Sequence, residues 1–240
     1  MIAAVDDRKL RRMADDASRV ALVAGGSGLV GSKLLPILLS APEFGRVNAL
    51  TRRALPADNP RLANRVVRFD TPLQSQLKAL QCNDAFCCIG TTMRNAGSQA
   101  AFRAVDHDLV IQFAKFAQST GVERFVLVSS VGASVSAKNF YLRVKGETEK
   151  ALEALRFRSL DILQPSMLLG SRRELRPLEV LVHPAMLIIS PLLLGKWSRY
   201  RAIAAETVAA AMYGTVRTQR RGVFRYTYDE LRKLAANKLS

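Results

Sequence analysis

The stretch Val20 to Lys33, VALVAGGSGLVGSK, decides the fold. It opens with Val20-Ala21-Leu22-Val23-Ala24, an apolar run whose length and β-branched content suit a buried strand. Glycines follow at Gly25, Gly28 and Gly31, and a leucine-rich segment of helical character begins. Strand, glycine turn and helix start together form a cradle for a pyrophosphate. Glycine lets the backbone turn tightly and lets phosphate oxygens reach the amides. The helix N-terminus adds unpaired N–H groups and a partial positive charge. Gly26, Gly28 and Gly31 also satisfy G-x-G-x-x-G, so spacing leaves two glycine phasings open. Pro36 falls inside the expected helix Leu29 to Leu39, well beyond the turn where phosphates would lie.

Downstream, strands and helices alternate. Strands are expected at Val47 to Leu50, Arg65 to Phe69, Asp84 to Ile89 and Phe125 to Val128. Helices are expected over Leu73 to Leu80 and Ala100 to Ser119, the latter ending at Gly121. A further helix, Ala205 to Tyr213, and a last strand, Gly222 to Tyr228, precede a closing helix. This β-α alternation predicts an α/β fold: a doubly wound Rossmann-type parallel sheet, one domain over residues 19–240 with a small substrate-side region mainly over 166–240. Residues 1–18 read as a polar N-terminal extension.

Two positions speak to the choice of dinucleotide. An NAD-preferring site places an acidic residue about 20 residues past the glycines. This chain has Arg52-Arg53 at the end of the second strand, and guanidinium groups suit a 2′-phosphate. NADP(H) is therefore favoured, with NAD(H) left open. Asp70 could accept a hydrogen bond from the adenine amino group. Gly90-Thr91-Thr92 follows a strand end, where ligands of open parallel sheets bind.

Ser130, Tyr141 and Lys145 carry the chemistry. Tyr141 and Lys145 are four residues apart and share one face of a helix. A phenol titrates near 10, so it needs a neighbouring cation to serve as acid or base at neutral pH. Lys145 and the positive nicotinamide would supply that charge. Tyr141 could then protonate a carbonyl oxygen as hydride reaches its carbon, with Ser130 fixing the oxygen. His107 reads as a helix-surface residue.

In these strings the chain resembles the short-chain dehydrogenase/reductase superfamily, in the atypical branch with the Gly25, Gly28, Gly31 phasing. Within it the chain is most similar to the Tat-interacting oxidoreductase family and its bacterial NAD(P)-binding relatives. The matching stretches are GGSGLVG at 25–31, LTRR at 50–53, DAFCCIGTT at 84–92, LVSSVGA at 127–133, YLRVKGETE at 141–149 and QPSMLLGSRRELRP at 164–177. The resemblance implies NADPH contacts from Gly25, Ser27, Gly28, Leu29, Val30, Arg52, Arg53, Gly90 and Thr91. Gly31 closes the same motif. The resemblance further makes Tyr141 and Lys145 the active pair, places Pro165 beside the nicotinamide, and prefers Ser130 over Ser129 as substrate anchor. One position departs from the superfamily: Asp106 stands where many members have the Asn of a proton relay.

Net charge +16 raises nucleic acid, an anionic membrane or anionic ligands as partners. The basic residues form small groups without a nucleic-acid motif, and a solvated basic surface is preferred. The longest apolar stretch, Leu178 to Leu194, is interrupted by Glu179, His183, Pro184 and Pro191, which argues against a spanning helix. Core packing there is preferred over a lipophilic substrate cover, and Arg172, Arg173 and Arg176 are read as surface cations at least as readily as contacts to an acidic group. Asp6 to Arg12 is charged with no apolar run behind it, so no signal peptide is expected. Three cysteines, Cys82, Cys87 and Cys88, cannot form a disulfide framework, and the adjacent Cys87 and Cys88 read as core thiols of a reducing, cytoplasmic protein. No metal-ligand spacing is present. The expected activity is NADP(H)-dependent transfer of hydride to or from a carbonyl or alcohol. A cofactor-bound regulatory or scaffold protein with a protein partner is the competing reading. A sugar-nucleotide epimerase is disfavoured by Arg52-Arg53 and the short C-terminal region.

Overall fold

The computed structural model describes residues 19–56, 58–77, 80–169, 195–218 and 220–236. The polar extension and the segment containing Leu178 to Leu194, Arg172, Arg173 and Arg176 lie outside the described residues.

The run before the glycine turn forms β1 (Arg19–Ala24), buried from Ala21 to Ala24. Helix α1 (Gly31–Ser40) follows and holds Pro36 inside it. Strands β2 (Phe44–Thr51), β3 (Leu62–Val66), β4 (Asp84–Cys87), β5 (Arg124–Val128), β6 (Ser159–Leu163) and β9 (Gly222–Tyr226) complete a seven-stranded sheet with β1. Its order is β3-β2-β1-β4-β5-β6-β9, and every pairing is parallel. A separate two-stranded ribbon pairs β7 (Leu168–Leu169) with β8 (Ile203–Ala204). Helices α5 (Leu109–Ser119), α6 (Phe140–Ala154), α7 (Ala205–Val216) and α8 (Tyr228–Ala236) are the longer ones after α1.

Alternation along β1 splits its side chains between two cores. Ala21 and Val23 join Leu34 and Leu38 of α1, Val208 and Met212 of α7, and Leu231 and Leu234 of α8. Leu22 and Ala24 join Phe113 and Phe116 of α5 and Leu152 of α6. Burial on both faces is why these strands read as continuous apolar runs. The expected doubly wound Rossmann-type fold is thus the one observed. The strand order reverses direction between β1 and β4, and the crevice beyond their carboxyl ends is where such sheets bind ligands.

Strand β6 and the β7–β8 ribbon are not among the expected elements, and three of the expected ones differ in extent or course. β3 begins at Leu62, three residues early, because this edge strand is only half-buried and carries a weak apolar signal. Its register is fixed instead by Asn64, which donates to Thr51 Oγ1 (2.7 Å) and accepts from the Leu55 amide (2.7 Å). The helix expected to Leu80 is the short α2 (Leu73–Gln76), ended by extended backbone at Leu77. The long helix expected over 100–119 is divided after the four-residue α3 (Met93–Ala96). It comprises α4 (Gln99–Arg103), a π-helical turn over Ala104–Asp108, and then α5. Such turns insert a residue and re-aim side chains. Here the turn carries Asp106 into the interior, where the Thr148 hydroxyl of α6 donates to its backbone carbonyl at 2.9 Å.

Candidate active site

The carboxyl ends of β1, β2, β4, β5 and β6 bring most of the expected site residues to one edge of the sheet. At β1 the chain turns through Gly25 with φ 79°, a conformation that favours glycine. A Cβ there would also lie 2.5 Å from the Cys88 carbonyl carbon. The Gly28 amide closes the turn on the Gly25 carbonyl at 2.9 Å. Gly31 lets α1 start against that turn, since its Cβ would sit 2.2 Å from the same carbonyl oxygen. Ser27 and Gly28 are exposed, Leu29 is half-buried and Val30 is buried. Helix α1 has no side-chain cap and no acidic residue in its first turn. Its Ser32 and Lys33 amides donate to the Gly28 and Val30 carbonyls at 2.9 and 3.0 Å, so what it offers an anion is its positive end. A backbone cradle that side chains would fill, beside an uncapped helix start, fits a pyrophosphate.

Arg52 and Arg53 follow β2, whose Leu50 is in register with Ala24 of β1. Both guanidinium groups are exposed, and neither has an ion-pair partner among the described residues. Asp70 lies past the end of β3, exposed, in an ion pair with Arg68 at 2.8 Å. That hydrogen-bonded guanidinium holds the Asp70 carboxyl below its ordinary range. Asp70 is therefore already engaged, although carboxylate lone pairs remain for another donor.

After β4, Gly90 and Thr91 meet α6 and the π-helical turn. The Thr91 amide donates to Asp106 Oδ2 at 2.8 Å. Lys145 Nζ lies 2.8 Å from Asp106 Oδ1, and both side chains are almost wholly buried. Carboxylate and ammonium form a buried ion pair, in which Lys145 is the near neighbour of Oδ1. Burial alone would push the Lys145 ammonium down. Asp106 opposes this most strongly, with smaller contributions from Tyr141 and Cys87, and Lys145 is held above its ordinary value. Cys87 and Cys88 are pushed up by burial, Cys87 to about 12, so both stay as neutral thiols. That agrees with their reading as core residues.

Helix α6 starts at Asn139, whose side chain accepts from the Leu142 amide at 3.2 Å. This cap puts Tyr141 in the first turn and Lys145 one turn further in. Tyr141 is half-buried, its ring centroid 5.3 Å from that of Phe102. Gly146 lets α6 press onto the loop after β5: a Cβ there would fall 2.2 Å from the Ser134 carbonyl carbon. The same loop holds Ser130, and its Val131 amide donates to the Pro165 carbonyl at 3.0 Å. Ser130, Pro165 and the start of α6 therefore belong to one packed unit.

The two serines of β5's end have different surroundings. Ser129 is buried and donates to Glu149 Oε1 at 2.5 Å. Glu149 also accepts from Gln164 at 2.9 and 3.1 Å and from Arg225 Nε at 3.0 Å. This carboxylate ties β5, β6 and β9 to the helix that carries Tyr141. Ser130 is half-buried, and its hydroxyl makes no hydrogen bond among the described residues. His107, next in the chain after Asp106 and half-buried, pairs with its neighbour Asp108 at 2.7 Å. Sequence reading did not single out Gly146 or Glu149. A glycine and a glutamate in the middle of a helix were the available signals. No group of metal-ligating side chains occurs among the described residues.

A phosphate cradle, unpaired arginines, a buried ammonium and a phenol in reach of solvent make an edge able to bind a dinucleotide and move a proton beside it. Comparisons with known proteins agree with the binding half. Residues 25–174 match the family model described as NAD(P)H-binding. Protein HTATIP2 of Rattus norvegicus is 36% identical over 208 residues, covering 85% of this chain and 84% of that protein. Protein FMP52, mitochondrial, of Coccidioides immitis is 33% identical over 207 residues, covering 79% of this chain and 84% of that protein. That mitochondrial designation stands against the plain cytoplasmic expectation for this chain. Among the described residues no helix is long and apolar enough to cross a membrane. Solved structures of similar fold include MoeE5 in complex with UDP-glucose and NAD, with TM-score 0.63, 17% identity and coverage of 91% of this chain and 81% of that one. Another is the human epimerase family protein SDR39U1 with NADPH, with TM-score 0.57, 18% identity and coverage of 87% and 74%. Sequence family and strand order converge: this chain belongs to the NAD(P)H-binding family, alongside Protein HTATIP2 and Protein FMP52.

Proposed function

We propose that the chain is an NADP(H)-dependent oxidoreductase acting on a small carbonyl or alcohol, in the manner of a short-chain reductase. The observation that carries this reading is the start of α6. Lys145 is buried and held charged beside the Gly90 turn, while Tyr141, one helical turn earlier, keeps part of its surface open. In the reducing direction the nicotinamide supplies hydride to the carbonyl carbon. The Tyr141 hydroxyl gives its proton to the carbonyl oxygen, and the phenolate left behind is stabilised by the nearby ammonium. Ser130, whose hydroxyl is uncommitted, donates to the same oxygen and holds it in place. Gly25, Ser27, Gly28, Leu29, Val30 and Gly31 hold the pyrophosphate. Arg52 and Arg53 take the 2′-phosphate, Asp70 the adenine edge, and Gly90, Thr91 and Pro165 the nicotinamide side.

Calorimetric titration with NADPH and NADH, repeated on an Arg52→Ala, Arg53→Ala double variant, tests the cofactor assignment. NADPH binding tighter than NADH, with the preference lost in the double variant, is the expected outcome. Equal binding of both cofactors by the parent protein would remove the NADP(H) assignment. A carbonyl screen with NADPH then tests the chemistry: Tyr141→Phe should lower turnover by about 10²-fold or more with little change in NADPH affinity. NADPH binding without turnover of any carbonyl would favour a cofactor-sensing protein with a protein partner.

A further inference from the structure

Tyr141, Lys145 and Glu149 recur at every fourth position of α6. In a helix that spacing keeps three side chains on one stripe. The first two carry the proposed chemistry. Glu149 is only 2% exposed, so it meets no substrate itself. A buried carboxylate is tolerated where donors replace its lost water. Those of Glu149 come from three neighbouring strands of the sheet. The Ser129 hydroxyl, just past β5, donates at 2.5 Å, and the Gln164 amide, just past β6, at 2.9 and 3.1 Å. Arg225 Nε of β9 donates at 3.0 Å, and the same guanidinium pairs with Glu153, one turn further along α6.

The two uncharged donors each precede a residue of the proposed site: Ser129 precedes Ser130, and Gln164 precedes Pro165. Backbone bonds join the same two segments. The Ser129 amide donates to the Leu163 carbonyl at 2.7 Å and the Val131 amide to the Pro165 carbonyl at 3.0 Å. These fix Ser130 against Pro165 but do not reach α6. Toward α6, the Ser134 amide donates to the Leu142 carbonyl at 3.2 Å, near the start of the helix. Glu149 adds a second tie about two turns deeper. One tie leaves a helix free to pivot, and two define its tilt and its slide along the strand ends. We propose that Glu149 is a positioning residue for hydride transfer. Through Ser129 and Gln164 it sets the gap between the Ser130 hydroxyl and the Tyr141 phenol, the two groups that meet the substrate oxygen. The assignment rests on the reductase reading above and deepens it. A misplacement on the order of 1 Å is enough to cost about a hundredfold in rate. Glutamine at this position would keep the shape but not the bonding. Ser129, Gln164 and Arg225 all donate to Glu149, and an amide offers one acceptor oxygen in place of two. Either Ser129 or Arg225 would then face an amide N–H.

A double-mutant cycle tests this. Reduction of a carbonyl probe, phenanthrenequinone, by NADPH is measured for the full chain, Glu149→Gln, Ser130→Ala and the double variant, with NADPH affinity followed by calorimetry. Glu149→Gln should lower kcat about tenfold or more, with NADPH affinity close to the parent's. In the Ser130→Ala background the same substitution should cost much less, because the group it positions is gone. A general loosening of the fold would cost the same in both backgrounds, and that result would overturn the assignment. So would a parent-like kcat in Glu149→Gln, or a loss of NADPH affinity in step with kcat. Should Glu149→Gln fail to fold, Ser129→Ala removes one donor and leaves the carboxylate with Gln164 and Arg225. It should lower kcat by a smaller factor, again only where Ser130 is present, and equal losses with and without Ser130 would again overturn the assignment. A parent protein that binds NADPH but reduces no carbonyl would remove the reductase reading itself, an outcome distinct from these.

Discussion

The two ends of the parallel sheet each bury a charged cluster, and they are built in opposite ways. At the amino end Asp84, the first residue of β4, takes three hydrogen bonds from Arg19 at 2.6 to 2.9 Å. Arg124, the first residue of β5, donates to Asp161 at 3.0 Å and to the Thr215 and Thr218 carbonyls at 2.5 and 2.7 Å. Asp161 also accepts from Ser159 at 2.9 Å and Tyr226 at 2.8 Å. The one shortfall is a donor: Arg124 Nε stands 3.6 Å from Asp84 Oδ1, within the same network. At the carboxyl end Asp106 faces the Lys145 ammonium at 2.8 Å and accepts from the Thr91 amide at 2.8 Å, beside the exposed Gly90. The first cluster closes upon itself and clamps β1, β4, β5 and β6 together. The second stands beside the exposed Gly90 and the half-buried Tyr141, at the end of the sheet where ligands bind.

That contrast can be broken by experiment. The largest effect should come from Asp84→Asn, which removes the counter-charge of the half-buried Arg19 and one of the two facing the buried Arg124. A loss of about 3–5 kcal/mol is expected, measured by urea unfolding. In that variant, where folded, the thermal stabilisation by NADPH should match the parent's. In Asp106→Asn the stabilisation by NADPH should shrink instead, because Lys145, beside the proposed nicotinamide end, loses its counter-charge. If Asp84→Asn reduced the NADPH effect as much as Asp106→Asn, the two ends would not be functionally distinct.

Gly146→Ala comes next. Its Cβ would lie 2.2 Å from backbone of the loop that carries Ser130, so α6 or the loop must move. About 1–3 kcal/mol of stability should be lost, and turnover should fall further than Tm because Ser130 and Tyr141 part. A variant with parent-like stability and parent-like turnover would show that the close packing is dispensable.

A smaller effect is expected from pH. Lys145 is held above its ordinary value of 10.5, with burial opposing and Asp106 the largest favourable cause. A group raised on folding stabilises the folded state fully below its unfolded value. That contribution disappears as pH climbs through the folded value. Urea stability measured from pH 9 to 12 should therefore fall more steeply in the parent than in Asp106→Asn. Parallel curves would detach Lys145 from Asp106.

The least change is expected at the thiols. Cys87 is pushed up to about 12 and Cys88 higher still, both by burial. Alkylation at pH 8 should label Cys87 and Cys88 only after unfolding. Rapid labelling of native Cys87 would mean that the carboxyl end of β4 is more open than described.

Much of this architecture was legible because burial on both faces turns strands into apolar runs. β1, β4 and β5 are recognisable for that reason, and the glycine turn because the positive φ of Gly25 and the approach of Gly31 to the Gly25 carbonyl arise within one short segment. β3 was misplaced because an edge strand held by Asn64 has no such run. Tyr141 and Lys145 were visible together because helical periodicity alone puts them on one face. Ser129 and Ser130 could not be told apart by spacing. Their difference lies in Glu149, twenty residues away, which buries and occupies Ser129.

What the sequence determined by itself is local: a strand, a glycine turn, a helix, and a tyrosine and lysine four residues apart. These follow from short-range periodicity and backbone permissiveness, both fully encoded within a dozen residues. The π-helical turn was decided only by tertiary structure, because its inserted residue is stabilised by Thr148 from another helix. So was the meeting of Asp106 with Lys145, which are 39 positions apart in the chain and 2.8 Å apart in the fold. A buried charge takes its meaning from what faces it, and the chain's order does not record that.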